Sequence, residues 1–123
     1  MSKGRILVVD DESSVCAVLK AVLIAKGYVA AEASSGALAI SQFGAFHPDL
    51  VLLDIRMPGM DGLETLRRLR DLNDKLLVIM LTGVDDRSTA QKAIELGACD
   101  YLTKPVSLEQ LEVTLAVHLI TED

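Results

Sequence analysis

A chain of 123 residues suffices for one hydrophobic core and is too short for two ordinary ones. Half of it is hydrophobic and 24% is charged, the composition of a globular domain and not of a disordered segment. The net charge of −6 and the 3% aromatic content, with no tryptophan, argue against a nucleic-acid surface, an anionic-membrane surface or a base-stacking platform.

The first residues, MSKGRILVVDD, are charged and then strand-like, with an apolar run too short for a signal peptide or a membrane span. Ile6 to Val9 is the first predicted strand, followed by Asp10, Asp11 and Glu12. Val15, Val18, Leu19, Val22 and Leu23 then recur at helical spacing, with Cys16 among them and Gly27 where a helix would end. A second strand, Tyr28 to Ala31, leads to a weaker helical stripe of Ala37, Ile40, Phe43 and Phe46. The third strand, Leu50 to Leu53, is the most apolar stretch of the chain, yet Asp54 interrupts it before Ile55.

Leu63, Leu66, Leu69 and Leu72 predict a third helix facing the core, with Arg67, Arg68 and Arg70 on its solvated side. Leu76 to Leu81 is a fourth strand ending at Thr82. The fourth helix, marked by Ala90, Ala93, Ile94 and Leu96 and closed by Gly97, has the poorest apolar stripe and is expected to be the least firmly held. A short strand at Tyr101-Leu102 precedes Lys104, and Ser107 to Gln110 reads as a capping box opening a fifth helix with Leu108, Leu111, Leu115 and Leu119 inward. His47 and His118 have no partner nearby in sequence and read as structural residues. Cys16 and Cys99 lack metal-ligand spacing, which fits a cytoplasmic protein with reduced thiols.

Apolar strands alternating with amphipathic helices predict an α/β fold, a doubly wound five-stranded parallel sheet in a three-layer α/β/α sandwich, over residues 1–123 as one domain. In such a sheet the carboxyl ends of the strands form one edge, where ligands bind. Asp10, Asp11, Asp54, Thr82 and Lys104 all fall there. Carboxylates about 4 Å apart repel by roughly 4 kcal/mol at an effective dielectric near 20, so the cluster requires a cation. Oxygen ligands without histidine or cysteine suit Mg²⁺, and Asp54 beside Mg²⁺ and Lys104 is a nucleophile for a phosphoryl group.

Four motifs, VVDDE (8–12), LLDIRMPGMDG (52–62), MLTG (80–83) and YLTKP (101–105), together resemble the receiver domain of bacterial two-component response regulators over essentially the whole chain. The resemblance implies the flavodoxin-like strand order 2-1-3-4-5. It implies that Asp54 accepts a phosphoryl group from the phosphohistidine of a sensor histidine kinase or a histidine phosphotransfer protein. Asp11, Asp54 and the backbone carbonyl of Arg56 would hold Mg²⁺ directly, with Asp10 helping through water and Mn²⁺ as a substitute ion. Thr82 and Lys104 would each meet a phosphoryl oxygen, with the Gly83 N–H as a further donor.

The same resemblance implies a cis Lys104-Pro105 peptide and a loop shaped by Pro58 and Gly62. Thr82 and Tyr101 would act as the switch pair, moving the surface of the fourth helix, fifth strand and fifth helix that meets an output domain or downstream protein. A half-buried core role is the alternative for Tyr101. Arg56 and Val84 would tune the lifetime of the phosphorylated form. The implied partners include neither nucleic acid nor membrane for this domain, and a phosphorylation-dependent dimer is a further partner. The acidic Glu109 and Glu112, with Val106 after Lys-Pro, depart from the DNA-binding subfamily that dimerises through this face.

Two other functions compete. A haloacid-dehalogenase-type phosphatase needs an aspartate two residues past its nucleophile, where Arg56 stands, and a cap domain for which the chain has no room. A phosphorylation-independent adaptor typically lacks the acidic pair, the acceptor or the lysine, and all are present. There is no phosphate-binding glycine loop for a nucleotide. The expected protein is a switch, not an enzyme acting on other molecules, either stand-alone or the first part of a longer chain.

Overall fold

The computed structural model describes residues 3–119. Strands and helices alternate along them: β1 (Arg5–Val9), α1 (Ser13–Ala25), β2 (Val29–Ala33), α2 (Gly36–Phe46), β3 (Leu50–Asp54), α3 (Gly62–Leu72), β4 (Leu77–Thr82), α4 (Arg87–Glu95), β5 (Asp100–Thr103) and α5 (Leu108–His118). The strands form one parallel sheet in the order β2-β1-β3-β4-β5, the flavodoxin-like order expected. No helix of the described residues is long and apolar enough to cross a membrane.

Alternation along each strand divides the core in two. Leu7, Val9, Val51, Leu53, Val78 and Met80 face α2, α3 and α4. Ile6, Val8, Leu50, Leu52, Ile79 and Leu81 face α1 and α5. All five residues of β3 are buried, because helices cover both faces of the central strand. Each fully buried leucine contributes about 1.5–3 kcal/mol relative to exposure.

The helix faces differ in detail from the sequence periodicity. In α1 the buried residues are Cys16, Leu19 and Leu23, and Val18 is 57% exposed. In α2, Ala39 and not Ala37 is buried. Leu66 and Leu69 anchor α3, while Leu72 points to solvent. A spacing of three residues turns the helix about 300°, so each successive leucine rotates off the stripe by roughly 60°.

Arg70 is only partly exposed. Its Nη1 donates to the Leu76 carbonyl at 2.8 Å, tying α3 to the start of β4. Leu108, the first residue of α5, is exposed, and of the capping box only the Ser107 half forms among the described residues, Oγ accepting from the Gln110 N–H at 3.2 Å. His118 has a partner that sequence neighbourhood could not reveal: its Nε2 lies 3.1 Å from Asp100 Oδ2 on β5. The weakness expected of α4 is visible, since it fully buries only Ala90 and Ala93 and has no side-chain cap.

One glycine fixes the geometry beside β3. Gly62 opens α3 and donates its N–H to the Ile55 carbonyl at 2.8 Å. A Cβ there would lie 2.4 Å from the Asp54 carbonyl oxygen and 2.6 Å from Ile55 Cα, so any side chain would push the helix off the strand end. Gly44, inside α2, has nothing within 4 Å of a Cβ position. Gly62→Ala is therefore expected to destabilise by about 1–3 kcal/mol or more, and Gly44→Ala to stabilise by about 0.5–1 kcal/mol. Urea denaturation of the two variants checks both signs.

Candidate functional site

Parallel register brings the strand ends together. Val9 pairs with Leu53, Asp54 with Leu81, and Thr82 with Thr103, so Asp10, Asp54, Thr82 and Lys104 emerge side by side. Carboxylate oxygens of Asp10, Asp11 and Asp54 lie within 4.8 Å of one another. Asp10 is fully buried, Asp54 is 6% exposed and Asp11 is open to solvent.

Lys104 is the cation that meets them. Its Nζ lies 2.8 Å from Asp10 Oδ2, 3.3 Å from Asp54 Oδ1 and 3.8 Å from Glu12 Oε1. The lysine is thus closer to Asp10 than to Asp54. Asp10 Oδ1 accepts from the Glu12 N–H at 2.9 Å. Its buried Oδ2 has only the ionic contact to Lys104 and no well-directed hydrogen bond. One ammonium facing three carboxylates, with Asp11 beside two of them, leaves the cluster under-compensated. An oxygen-only donor set with a buried, incompletely satisfied oxygen fits a hard divalent cation.

The electrostatics follow from the same crowding. Burial, then the charge of Asp10, pushes Asp54 up to about 6 against the opposing pull of Lys104. Burial works against the charged form of Lys104, but Asp10 and Asp54 more than offset it and its pKa is raised. Cys16, below the cluster, donates its thiol to the Asp10 carbonyl at 3.3 Å. Burial, then Asp10 and Glu32, pushes that thiol up to about 11, so it stays protonated and inert.

Thr82 is buried at the end of β4, and its hydroxyl donates to the Gly83 carbonyl at 3.0 Å. The Lys104-Pro105 peptide is cis. Arg56 donates its N–H to Asp54 Oδ1 at 3.3 Å, while its guanidinium leaves the cluster for Asp86. Val84 is 70% exposed on the β4–α4 turn, and Tyr101 projects 41% exposed from β5, outside the core. Sequence reading missed Glu12 as a third carboxylate on Lys104, although it completes the VVDDE motif, and missed Asp86 altogether. Nothing local in the sequence distinguishes Asp86 from the exposed Asp85.

A doubly wound parallel sheet with an acidic cluster, a threonine and a lysine gathered on its carboxyl edge defines a flavodoxin-like domain with a polar site at the strand ends. The family described as the response regulator receiver domain matches residues 6–116. The chain is 44% identical over 110 residues to the transcriptional regulatory protein ZraR of Escherichia coli, covering 89% of this chain and 25% of that protein. It is 33% identical over 119 residues to sporulation initiation phosphotransferase F of Bacillus subtilis, covering 97% and 96% of the two chains. The crystal structure of the receiver domain of NtrX from Brucella abortus superposes with a TM-score of 0.90 at 32% identity, covering 95% of this chain and 99% of that one.

The chain belongs to the response regulator receiver domain family, whose members are phosphorylation-dependent switches of two-component signalling. It spans about a quarter of the length of the ZraR proteins it matches.

The raised Asp54 makes a prediction about stability. A folded-state value near 6 lies above that of an unfolded aspartate, so the unfolded chain gives up this proton first. The contribution of Asp54 is present below about pH 4 and is lost as pH rises through about 6. Asp54→Asn is therefore expected to stabilise the protein at pH 7–8 in chelator, by on the order of 3 kcal/mol. The gain should shrink toward zero below about pH 4, which denaturant melts across pH would show.

Proposed function

We propose that residues 1–123 act as a single receiver domain in which Asp54 is the phosphoacceptor of a two-component phosphorelay. The observation that carries this reading is the placement of Asp54 at the end of the central strand, within the acidic cluster and 3.3 Å from Lys104 Nζ. A carboxylate oxygen of Asp54 attacks the phosphorus of a phosphohistidine on a sensor kinase or phosphotransfer protein. The O–P bond forms as the N–P bond breaks, and the departing imidazole nitrogen takes up a proton.

Asp10, Asp11, Asp54 and the Arg56 carbonyl are the groups that would hold Mg²⁺, or Mn²⁺ in its place. When bound, the ion supplies positive charge both to the crowded carboxylates and to the phosphoryl oxygens. Lys104 trades part of its contact with Asp10 and Asp54 for a phosphoryl oxygen, keeping a compact cation where charge develops. Thr82 rotates its hydroxyl from the Gly83 carbonyl to a second oxygen, and the Gly83 N–H serves a third.

Tyr101 then moves inward from its exposed position, changing the α4–β5–α5 surface offered to an output domain or downstream protein. Val84 and Arg56 flank the approach of hydrolytic water and set the lifetime of the phosphorylated form. The chemistry is self-directed, in a cytoplasmic signalling pathway.

Intact-protein mass after incubation with acetyl phosphate tests the reading. One phosphoryl adduct is expected with Mg²⁺, and none in chelator or with Asp54→Asn. No adduct on a folded, Mg²⁺-binding chain, either from acetyl phosphate or from a phosphorylated histidine kinase, would favour a phosphorylation-independent adaptor.

A further inference from the structure

Asp86 stands immediately before α4, the position where an aspartate usually caps a helix. It does not cap. Its carboxylate makes no bond to the amides of α4. Instead Asp86 Oδ1 accepts from Arg56 Nε at 2.7 Å and also meets Nη2 of the same guanidinium. The two side chains are unequal, with Arg56 74% exposed and Asp86 only 8% exposed. An exposed pair contributes little, but a buried carboxylate that loses its cation is left as an uncompensated charge.

The pair joins the β3–α3 loop to the β4–α4 turn. Arg56 belongs to the β3–α3 loop and bonds Asp54 through its N–H. Asp86 closes the β4–α4 turn, where its own N–H donates to the Gly83 carbonyl at 3.1 Å. That carbonyl also takes the Thr82 hydroxyl. Both residues line an open groove of about 510 Å³ beside the acceptor, bounded also by Met57, Pro58, Asp61 and Thr89. A chain of contacts thus runs from Asp54 through Arg56 and Asp86 to Gly83 and Thr82.

We propose that the Arg56–Asp86 ion pair is a latch that holds the β4–α4 turn, and with it the Thr82 hydroxyl, in the resting setting. The inference rests on the acceptor role of Asp54 for its signalling consequence, but the latch itself belongs to the unphosphorylated chain. Asp86 is then a positioning residue and touches no reacting atom. A phosphoryl dianion formed two residues from Arg56 competes with Asp86 for the guanidinium. Once Asp86 is released, the Gly83 carbonyl is no longer pinned and the Thr82 hydroxyl is free to turn toward Asp54. Start of α4 and state of the acceptor are coupled by this exchange of partners.

The test uses Asp86→Asn, Arg56→Gln and the double variant, each first shown to melt cooperatively. In the unphosphorylated chain, amide hydrogen exchange at Asp86 (or its replacement) and Ala90 is expected to quicken by on the order of tenfold in either single variant. Acetyl phosphate should then modify the single variants roughly threefold to tenfold faster than the parent, and the double variant no faster than the quicker single. Unchanged exchange, or rate effects that simply add in the double variant, would overturn the latch and leave the pair a structural contact. If the parent chain takes no adduct at all, the acceptor reading fails instead. Exchange alone then decides the latch.

Discussion

Everything at the carboxyl edge of the sheet is arranged around a deficit of positive charge. Lys104 faces Asp10, Asp54 and Glu12, and Asp11 stands beside them. Such crowding would be costly anywhere else in the fold. Here the parallel register enforces it, because four strands end at the same level and each delivers its last residue or the one after it to one place. The buried Asp10 and raised Asp54 are consequences of that register.

The site was more legible in the sequence than the packing that supports it. A residue at the end of an apolar run is at the sheet edge whatever the helices do, so Asp10, Asp54, Thr82 and Lys104 could be placed without coordinates. Helix faces were harder. Val18 and Leu108 are apolar and exposed, while Cys16 and Ala39 carry the contacts assigned to their neighbours. The leucines of α3 follow a spacing that drifts around the helix, and the last falls off the stripe. Long-range pairs were out of reach entirely: Arg56 with Asp86, Arg70 with the Leu76 carbonyl and His118 with Asp100 join segments that no local pattern connects.

Helix α4 and the turn before it are held differently from the rest of the molecule. Helices α1, α3 and α5 bury leucines against the sheet, whereas α4, like α2, buries nothing larger than alanine, and α4 alone combines this with an uncapped N-terminus. Its N-terminal aspartate is committed to an arginine on another loop and gives no cap. Low burial and a missing cap reduce the free energy that separates alternative settings of a helix. That element follows directly on Thr82 and the acidic cluster at the sheet edge.

Gly62 has a consequence for how this domain can diversify. The end of β3 and the start of α3 touch backbone to backbone, through the Gly62 N–H and the Ile55 carbonyl, with no side chain between them. The intervening loop from Arg56 to Asp61 is therefore bracketed by an attachment that ignores its side chains. Substitution within it can retune charge, bulk and groove shape beside Asp54 while Asp54 stays in register. The surface beside the acidic cluster can drift there independently of the scaffold.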